Sequence, residues 1–162
     1  MKVIFLDIDG VLNHEMFYKG KDPAIIKILN LNLHLDVNSV KRLSEICEAT
    51  AAKVVLSSTW RRHQSLEAVR NIFKSKGFTG EILDQTPDLT INNPDMLRGN
   101  EILKWMKLNE DLLGCKHMDF KDYVILDDKT FMLYWQKDNF FKMDAYCGLT
   151  PTNVKEIIKF LS

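Results

Sequence analysis

Short runs of almost entirely apolar residues alternate along the chain with segments in which apolar residues recur every three or four positions. The short runs are typical of strands that are buried on both faces of a parallel sheet. They predict strands over Val3 to Leu6, Lys53 to Leu56 and Tyr123 to Leu126, and a further short strand over Gly80 to Leu83.

The segments between these runs have the spacing of amphipathic helices, in which one face is apolar. One helix is expected to stop at Gly77, a suitable C-cap, and the last begins with the cap pair Thr150 and Pro151. Alternating strands and helices predict an α/β fold in which helices cover both faces of a parallel sheet. The helical spacing is carried by Val40, Leu43, Ile46 and Cys47, by Leu66, Val69, Ile72 and Phe73, by Ile102, Trp105 and Met106, and by Val154, Ile157, Ile158 and Leu161.

The rest of the chain is expected to form loops and one aromatic-rich segment. Prolines and asparagines predict a loop over Asp84 to Asp95 that is long enough to carry function. Phe131, Tyr134 and Trp135 recur at helical spacing, so core packing is favoured for this segment over stacking on nucleobases. With 162 residues, the chain is expected to form a single domain over 1–162.

Polar side chains follow three of the predicted strands, at the point where each strand ends. The carboxyl ends of parallel strands meet at one edge of the sheet, and binding sites form there. We therefore expect three clusters to converge at this edge: Asp7, Asp9 and Gly10; Ser57 and Ser58; Asp127 and Asp128.

The carboxylates in these clusters point to a divalent cation, because buried charge is costly unless it is paired or bound to a metal. Asp7 and Asp9 with Asp127 and Asp128 make an oxygen-rich group of the kind that holds Mg²⁺. Zinc would lack the nitrogen and sulfur ligands it prefers. Such a site leaves one carboxylate to attack phosphorus and a second to donate and accept protons, while Ser57 can bind a phosphoryl oxygen.

Three motifs resemble those of the haloacid dehalogenase (HAD) superfamily: VIFLDIDGVLN the first, VVLSS the second and VILDD the fourth. They occur in the family's order and at the ends of apolar strands. More narrowly, VVLSSTWR, RGNEILKW and the GLT before the last helix resemble the HAD domain of Swiss Army Knife RNA repair proteins. The resemblance implies a three-layer, Rossmann-like fold.

The resemblance also implies roles for single residues. Asp7 corresponds to the nucleophile and a Mg²⁺ ligand, and Asp9 to the general acid and base whose backbone carbonyl completes the metal site. Ser57 corresponds to the phosphate-binding residue, with Ser58 as its nearest alternative. In the fourth motif, Asp128 corresponds to the metal ligand and Asp127 to an auxiliary carboxylate.

The third motif of the family is a single Lys or Arg, for which Arg98 is the first choice because it precedes a predicted helix. Lys104 and Lys107 remain alternatives. Gly10, Ser58 and Arg61 are expected to contact the substrate, although a solvated helix face is an equal interpretation of Arg61. Capping of the following helix is the favoured role of Ser58.

No cap domain of substantial size is expected in either interval where the superfamily inserts one. The interval from Val11 to Asp36 is predicted to hold one short helix that begins at Asp22 and Pro23, and the interval from Thr59 to Arg98 a helix, a strand and a loop. An HAD domain without a cap has an open site. Within the superfamily this suggests large substrates such as nucleic-acid ends or proteins, or closure by an oligomeric partner.

Charge and cysteine content restrict the function further. The 22 basic and 22 acidic residues give a formal net charge of +0, which argues against a protein that coats nucleic acid through broad electrostatic attraction. A local cluster of positive charge can still bind a single phosphorylated end. The three cysteines are scattered along the chain, which favours free thiols in the cytoplasm. No apolar run approaches the ~20 residues of a membrane helix, so no membrane segment is expected.

The sequence therefore predicts a Mg²⁺-dependent phosphomonoesterase that forms an aspartyl-phosphate. Its expected partner is a phosphorylated substrate: a nucleic-acid 3′ end, a nucleotide or another phosphomonoester. The alternative is a pseudo-phosphatase that binds a phosphorylated partner without turnover.

Overall fold

The computed structural model describes residues 1–22, 24, 34–91 and 93–162. Five parallel strands form one sheet: β1 (Val3–Leu6), β2 (Lys53–Leu56), β3 (Ile82–Gln85), β4 (Tyr123–Asp127) and β5 (Phe140–Lys142). Their order across the sheet is β3-β2-β1-β4-β5, so β1 lies at the centre. Since neighbouring strands run parallel, their carboxyl ends lie at one edge, as expected for the proposed site.

The described helices lie on both faces of the sheet. They are α1 (Glu15–Tyr18), α2 (Val37–Thr50), α3 (Leu66–Ser75), α4 (Arg98–Leu108), α5 (Glu110–Leu113) and α6 (Pro151–Leu161), with 3₁₀-helices over Thr59–Arg62 and Tyr134–Asn139. The predicted cap of α6 is present, because the Thr150 side chain accepts a hydrogen bond from the Asn153 backbone N–H.

Two apolar cores lie on opposite faces of the sheet. On one face, Ile4 and Leu6 pack with residues of α2, α3 and α6. On the other face, Phe5 packs with α4, and its ring lies edge-on to Trp105 with ring centres 5.4 Å apart. The predicted three-layer, Rossmann-like α/β fold is confirmed.

The third strand starts and ends two residues later than the sequence predicted. It runs over Ile82–Gln85 rather than Gly80 to Leu83, so the loop expected from Asp84 onwards begins later. The reason is tertiary: the Asp84 carboxylate accepts a hydrogen bond from the Trp105 indole, with Nε1 and Oδ2 2.7 Å apart. A polar residue is thereby satisfied inside a strand.

The prediction that the aromatic-rich segment packs in the core is wrong for its first three members. Phe131 and Tyr134 are 53% and 83% exposed, and Trp135 is 36% exposed. Gln136 and Asn139 are buried in their place: Gln136 donates to the Gly99 carbonyl and Asn139 to the Tyr123 carbonyl. These amide hydrogen bonds anchor the 3₁₀-helix and leave the aromatic faces toward solvent.

No folded cap covers the sheet edge in the part of the chain that the structure describes. The short helix predicted to begin at Asp22 and Pro23 falls largely on residues 23 and 25–33, outside the described residues.

None of the described helices is long and apolar enough to cross a membrane. Cys47, Cys115 and Cys147 are all free thiols.

Candidate active site

Strand register places three of the predicted site residues side by side. Leu6 pairs with Leu56 on one side and with Leu126 on the other, so Asp7, Ser57 and Asp127 follow in one row. The Asp7 N–H donates to the Leu126 carbonyl at 2.9 Å and the Ser57 N–H to the Leu6 carbonyl at 2.8 Å. Side chains alternate along a strand, so all three lie on the face covered by α4.

Asp7, Asp127 and Asp128 each offer a carboxylate oxygen to one small volume, and these three oxygens lie within 4.8 Å of one another. Asp7 and Asp127 are buried and Asp128 is half-buried. Three carboxylates around one point provide the hard oxygen ligands that Mg²⁺ prefers. The Asp9 carboxylate does not belong to this group of described residues, so a contribution through its backbone carbonyl stays a prediction.

Arg98 begins α4, and its side chain reaches two of the three carboxylates. Its Nη1 lies 3.2 Å from Asp7 Oδ1, and its Nε lies 3.1 Å from Asp127 Oδ2. The alternatives Lys104 and Lys107 are exposed on the same helix. Geometry therefore favours Arg98 for the third motif.

The charges at the site are unbalanced. Burial raises the pKa of Asp7, and the guanidinium of Arg98 only partly offsets this. Burial and the neighbouring Asp7 carboxylate raise the pKa of Asp127 to about 7. Arg98 and Lys129, whose Nζ lies 2.8 Å from Asp128 Oδ2, bring two positive charges to three acidic side chains, so negative charge remains that a divalent cation can offset.

The Ser57 hydroxyl is buried at the same place and makes no hydrogen bond to the described residues. Asp127 Oδ2 and Arg98 Nη1 are also buried without a hydrogen bond there, although each is held in an ion pair, with Arg98 Nε and with Asp7 Oδ1. Leaving a buried hydroxyl unsatisfied costs about 1–3 kcal/mol. A hydroxyl and a guanidinium donor suit a phosphoryl group, and a carboxylate oxygen suits a metal ion, so these atoms fit both proposed ligands.

The two candidate serines have different surroundings. The Ser58 hydroxyl interacts with the Asp7 carboxylate and lowers the pKa of Asp7 against the larger effect of burial. Ser58 is also the N-cap of the 3₁₀-helix that follows β2 and accepts a long hydrogen bond from the Trp60 N–H at 3.5 Å. The predicted capping role of Ser58 is therefore confirmed, and Ser57 keeps the hydroxyl that is free for a ligand.

Asp9 occupies a different environment from Asp7. It is exposed, and its carboxylate accepts hydrogen bonds from Asn13 Nδ2 at 2.7 Å and from Trp60 Nε1 at 3.1 and 3.2 Å. An accessible carboxylate next to a buried one matches the division of labour predicted for a general acid and a nucleophile.

Gly10 is required by geometry at the centre of the site. Its φ is +80°, a left-handed conformation that favours glycine, and a β-carbon here would lie 2.7 Å from the carboxyl carbon of Asp128. The residue therefore lets the loop after β1 approach the fourth-motif carboxylate. Whether Gly10 also contacts substrate stays a prediction.

Neither interpretation of Arg61 agrees with the structure. Its side chain is only 3% exposed, so it does not lie on a solvated helix face, and it does not line the cavity described below. Its Nη2 lies 2.6 Å from Glu101 Oε2, and its Nη1 donates to the Ser58 carbonyl at 2.7 Å. A buried acidic partner on another helix, invisible in the local sequence, holds Arg61 away from the position expected of a substrate contact.

An open cavity of about 670 Å³ lies over Asp7 and Asp9. Sequence reasoning missed several of its walls. Lys129 follows the fourth motif directly and Trp60 lies within the longer motif VVLSSTWR, so their positions were a usable signal; nothing local pointed to His14 or Tyr18. The lining residues are Asp7, Asp9, Gly10, Asn13, His14, Glu15, Tyr18, Thr59, Trp60, His63, Gln64, Arg98, Asp128, Lys129 and Ala145.

Fold and site together define a class of protein: a Rossmann-like α/β domain with an aspartate-rich site at the carboxyl edge of its sheet. The family described as the HAD domain in Swiss Army Knife RNA repair proteins matches residues 3–154. The chain belongs to this family, and the resemblance inferred from the three motifs is confirmed. The family suggests a phosphohydrolase-type function. Comparisons with curated proteins and with solved structures gave no match.

Proposed function

We propose that this protein is a Mg²⁺-dependent phosphomonoesterase that works through an aspartyl-phosphate on Asp7. The observation that carries the proposal is the position of Asp7, whose Oδ1 lies 3.2 Å from Arg98 and within the carboxylate cluster, at the floor of an open cavity. A nucleophile there meets a phosphoryl group that Arg98 and Ser57 can bind.

The reaction has two steps. In the first, an Asp7 oxygen attacks phosphorus, the bond from phosphorus to the ester oxygen breaks, and the leaving oxygen takes a proton from Asp9. In the second, water attacks the phosphorus of the aspartyl-phosphate and gives a proton to Asp9, so inorganic phosphate leaves and both carboxyl groups return to their starting states. Donors such as Arg98 and Ser57 stabilise the charge that develops on the phosphoryl oxygens.

The metal fits the residues that are present. Asp7 and Asp128 would hold Mg²⁺, with Asp127, whose Oδ2 is paired with Arg98, beside them. When bound, the ion would offset the negative charge of the carboxylates and of the phosphoryl oxygens.

The substrate class we propose is a phosphorylated nucleic-acid 3′ end or a nucleotide. The family description and the openness of the site support it, since the described residues place no cap over the cavity. Tyr18 lines the cavity wall, and its phenol is a hydrogen-bond donor near neutral pH; burial and the charge of Asp9 raise its pKa further, to about 12.

Phosphate release tests the proposal. Purified protein with Mg²⁺ is assayed on p-nitrophenyl phosphate, nucleoside monophosphates and 3′-phosphorylated oligonucleotides, beside Asp7→Asn and the exposed control Asp95→Asn. We expect release by the wild type and Asp95→Asn and none by Asp7→Asn. No release on any substrate, or equal release by Asp7→Asn, overturns the proposal. Phosphate binding without turnover would identify the non-catalytic alternative instead.

A further inference from the structure

We infer that Trp60, assisted by Asn13, is a positioning residue for Asp9 that holds its carboxylate in the orientation for proton transfer to the leaving group. The inference rests on the proposed function. It adds two residues from outside the acidic clusters, one of them on the 3₁₀-helix after β2.

The Asp9 carboxylate is held from two directions. The Trp60 indole N–H is shared between the two carboxylate oxygens, at 3.2 Å from Oδ1 and 3.1 Å from Oδ2. Asn13 Nδ2 donates to Oδ1 at 2.7 Å. Oδ1 therefore accepts two donors, whereas Oδ2 shares only the indole N–H within the described residues and stays the more available oxygen.

Both donors are themselves fixed. Trp60 is 6% exposed and packs in the apolar core below the sheet edge, while Ser58 caps its helix. Asn13 is 3% exposed, and its backbone N–H donates to the Ile8 carbonyl at 3.3 Å, which closes the turn that carries Asp9. Neither side chain can turn away without breaking its packing.

Orientation matters because Asp9 is exposed. A free carboxylate at the surface samples several rotamers, whereas a general acid must lie within about 2.6–3.2 Å of the oxygen that it protonates. A buried indole and a buried amide restrict that sampling before substrate arrives. The contribution of a positioned general acid is typically ~10²–10⁴-fold in rate.

Leaving-group chemistry separates this role from a purely structural one. p-Nitrophenolate leaves readily without a proton, whereas phenolate leaves poorly unless it is protonated. Loss of a well-positioned acid therefore slows phenyl phosphate much more than p-nitrophenyl phosphate. General damage to the fold or to phosphate binding slows both substrates alike, because they differ only in one nitro group.

The test compares kcat/KM on phenyl phosphate and p-nitrophenyl phosphate for wild type, Trp60→Phe and Asn13→Ala, since kcat/KM reports the step that expels the leaving group. Trp105→Phe is the matched control, because Trp105 is also buried and its indole also donates to a carboxylate, Asp84, away from the cavity. Thermal melting of each variant checks that it is folded.

We expect Trp60→Phe to lose about tenfold or more on phenyl phosphate, the lower part of the general-acid range, and threefold or less on p-nitrophenyl phosphate. We expect Asn13→Ala also to lose more kcat/KM on phenyl phosphate than on p-nitrophenyl phosphate, so the test remains decisive if Trp60→Phe does not fold. Trp105→Phe changes both substrates equally. Equal losses on the two substrates, or none, for both Asp9-contacting variants overturn the inference and leave the proposed function intact. A wild type that releases phosphate from neither these two substrates nor the nucleotides and 3′-phosphorylated oligonucleotides tested above overturns the proposed function itself.

Discussion

Arg61 and Glu101 form a buried ion pair, with Nη2 and Oε2 2.6 Å apart and both side chains 3% exposed. Glu101 lies one turn after Arg98 on α4 and adds to the field that raises the pKa of that arginine, after the opposing effect of burial and the larger contributions of Asp7 and Asp127. Charges therefore alternate from Asp7 through Arg98 and Glu101 to Arg61. The ion pair ties the segment after β2 to the helix that carries Arg98.

We predict that Glu101→Gln lowers the free energy of unfolding by about 3–5 kcal/mol, because it removes the close partner of the buried Arg61 charge, whose other acidic neighbour, Asp88, is 4.0 Å away. Urea denaturation measures the change. Glu81→Gln is the control, since its pair with Lys53 is solvent-exposed and is expected to contribute at most about 1 kcal/mol. A similar, small effect at both positions would contradict the prediction.

Gly10→Ala is predicted to abolish activity and to weaken Mg²⁺ binding, because the added methyl group would displace the Asp128 carboxylate. Gly77→Ala separates this clash from backbone strain: its φ is +84°, and no described atom lies within 4 Å of the added carbon. Each substitution is expected to cost about 1–2 kcal/mol for the left-handed backbone. Activity assays and Mg²⁺ titrations should show the loss at Gly10 alone, and equal activity of the two variants would refute the steric role.

Metal-free protein is predicted to lose stability as the pH rises from about 4 to about 7. The folded-state pKa of Asp127, raised to about 7 by burial and by Asp7, exceeds its ordinary value of 3.8, so folding favours the protonated form. That stabilisation is complete below pH 4 and is lost as the pH rises through 7. Thermal melting from pH 4 to pH 8 measures it.

Mg²⁺ should reverse this loss, because it binds the ionised carboxylates. At a hundred times its Kd it adds about 2.7 kcal/mol, and the increase in Tm is larger at pH 8 than at pH 5. Asp127→Asn should flatten the pH dependence, whereas the exposed Asp95→Asn leaves it unchanged. An increase in Tm that is independent of pH would count against a carboxylate-held metal.

Ser57→Ala is predicted to lower kcat/KM at least tenfold without loss of stability. Its buried hydroxyl makes no hydrogen bond to the described residues, so its removal does not lower the stability of the fold and removes only a hydrogen bond to the ligand. Ser44→Ala is the contrast, because the Ser44 hydroxyl donates to the Val40 carbonyl at 3.1 Å and should cost about 0.5–1.5 kcal/mol. Marked destabilisation by Ser57→Ala, with kcat/KM intact, would show that the hydroxyl serves the fold.

Local patterns in the sequence determined most of the fold. The apolar runs that become β1, β2 and β4 were correctly located, because a strand buried on both faces has no polar position to interrupt it. Their ends carry the acidic clusters, so the parallel arrangement by itself predicts that Asp7 and Asp127 meet.

Only the tertiary structure decided which other side chains serve the site. Arg61 is withdrawn by Glu101, 40 positions further along the chain, and Trp60 reaches Asp9 from another strand end. Gln136 and Asn139 are buried through hydrogen bonds to distant backbone carbonyls, which turns Phe131 and Tyr134 outward against the helical pattern. A local pattern records how apolar a position is, whereas the burial of a polar side chain depends on a partner that only the folded chain brings within reach.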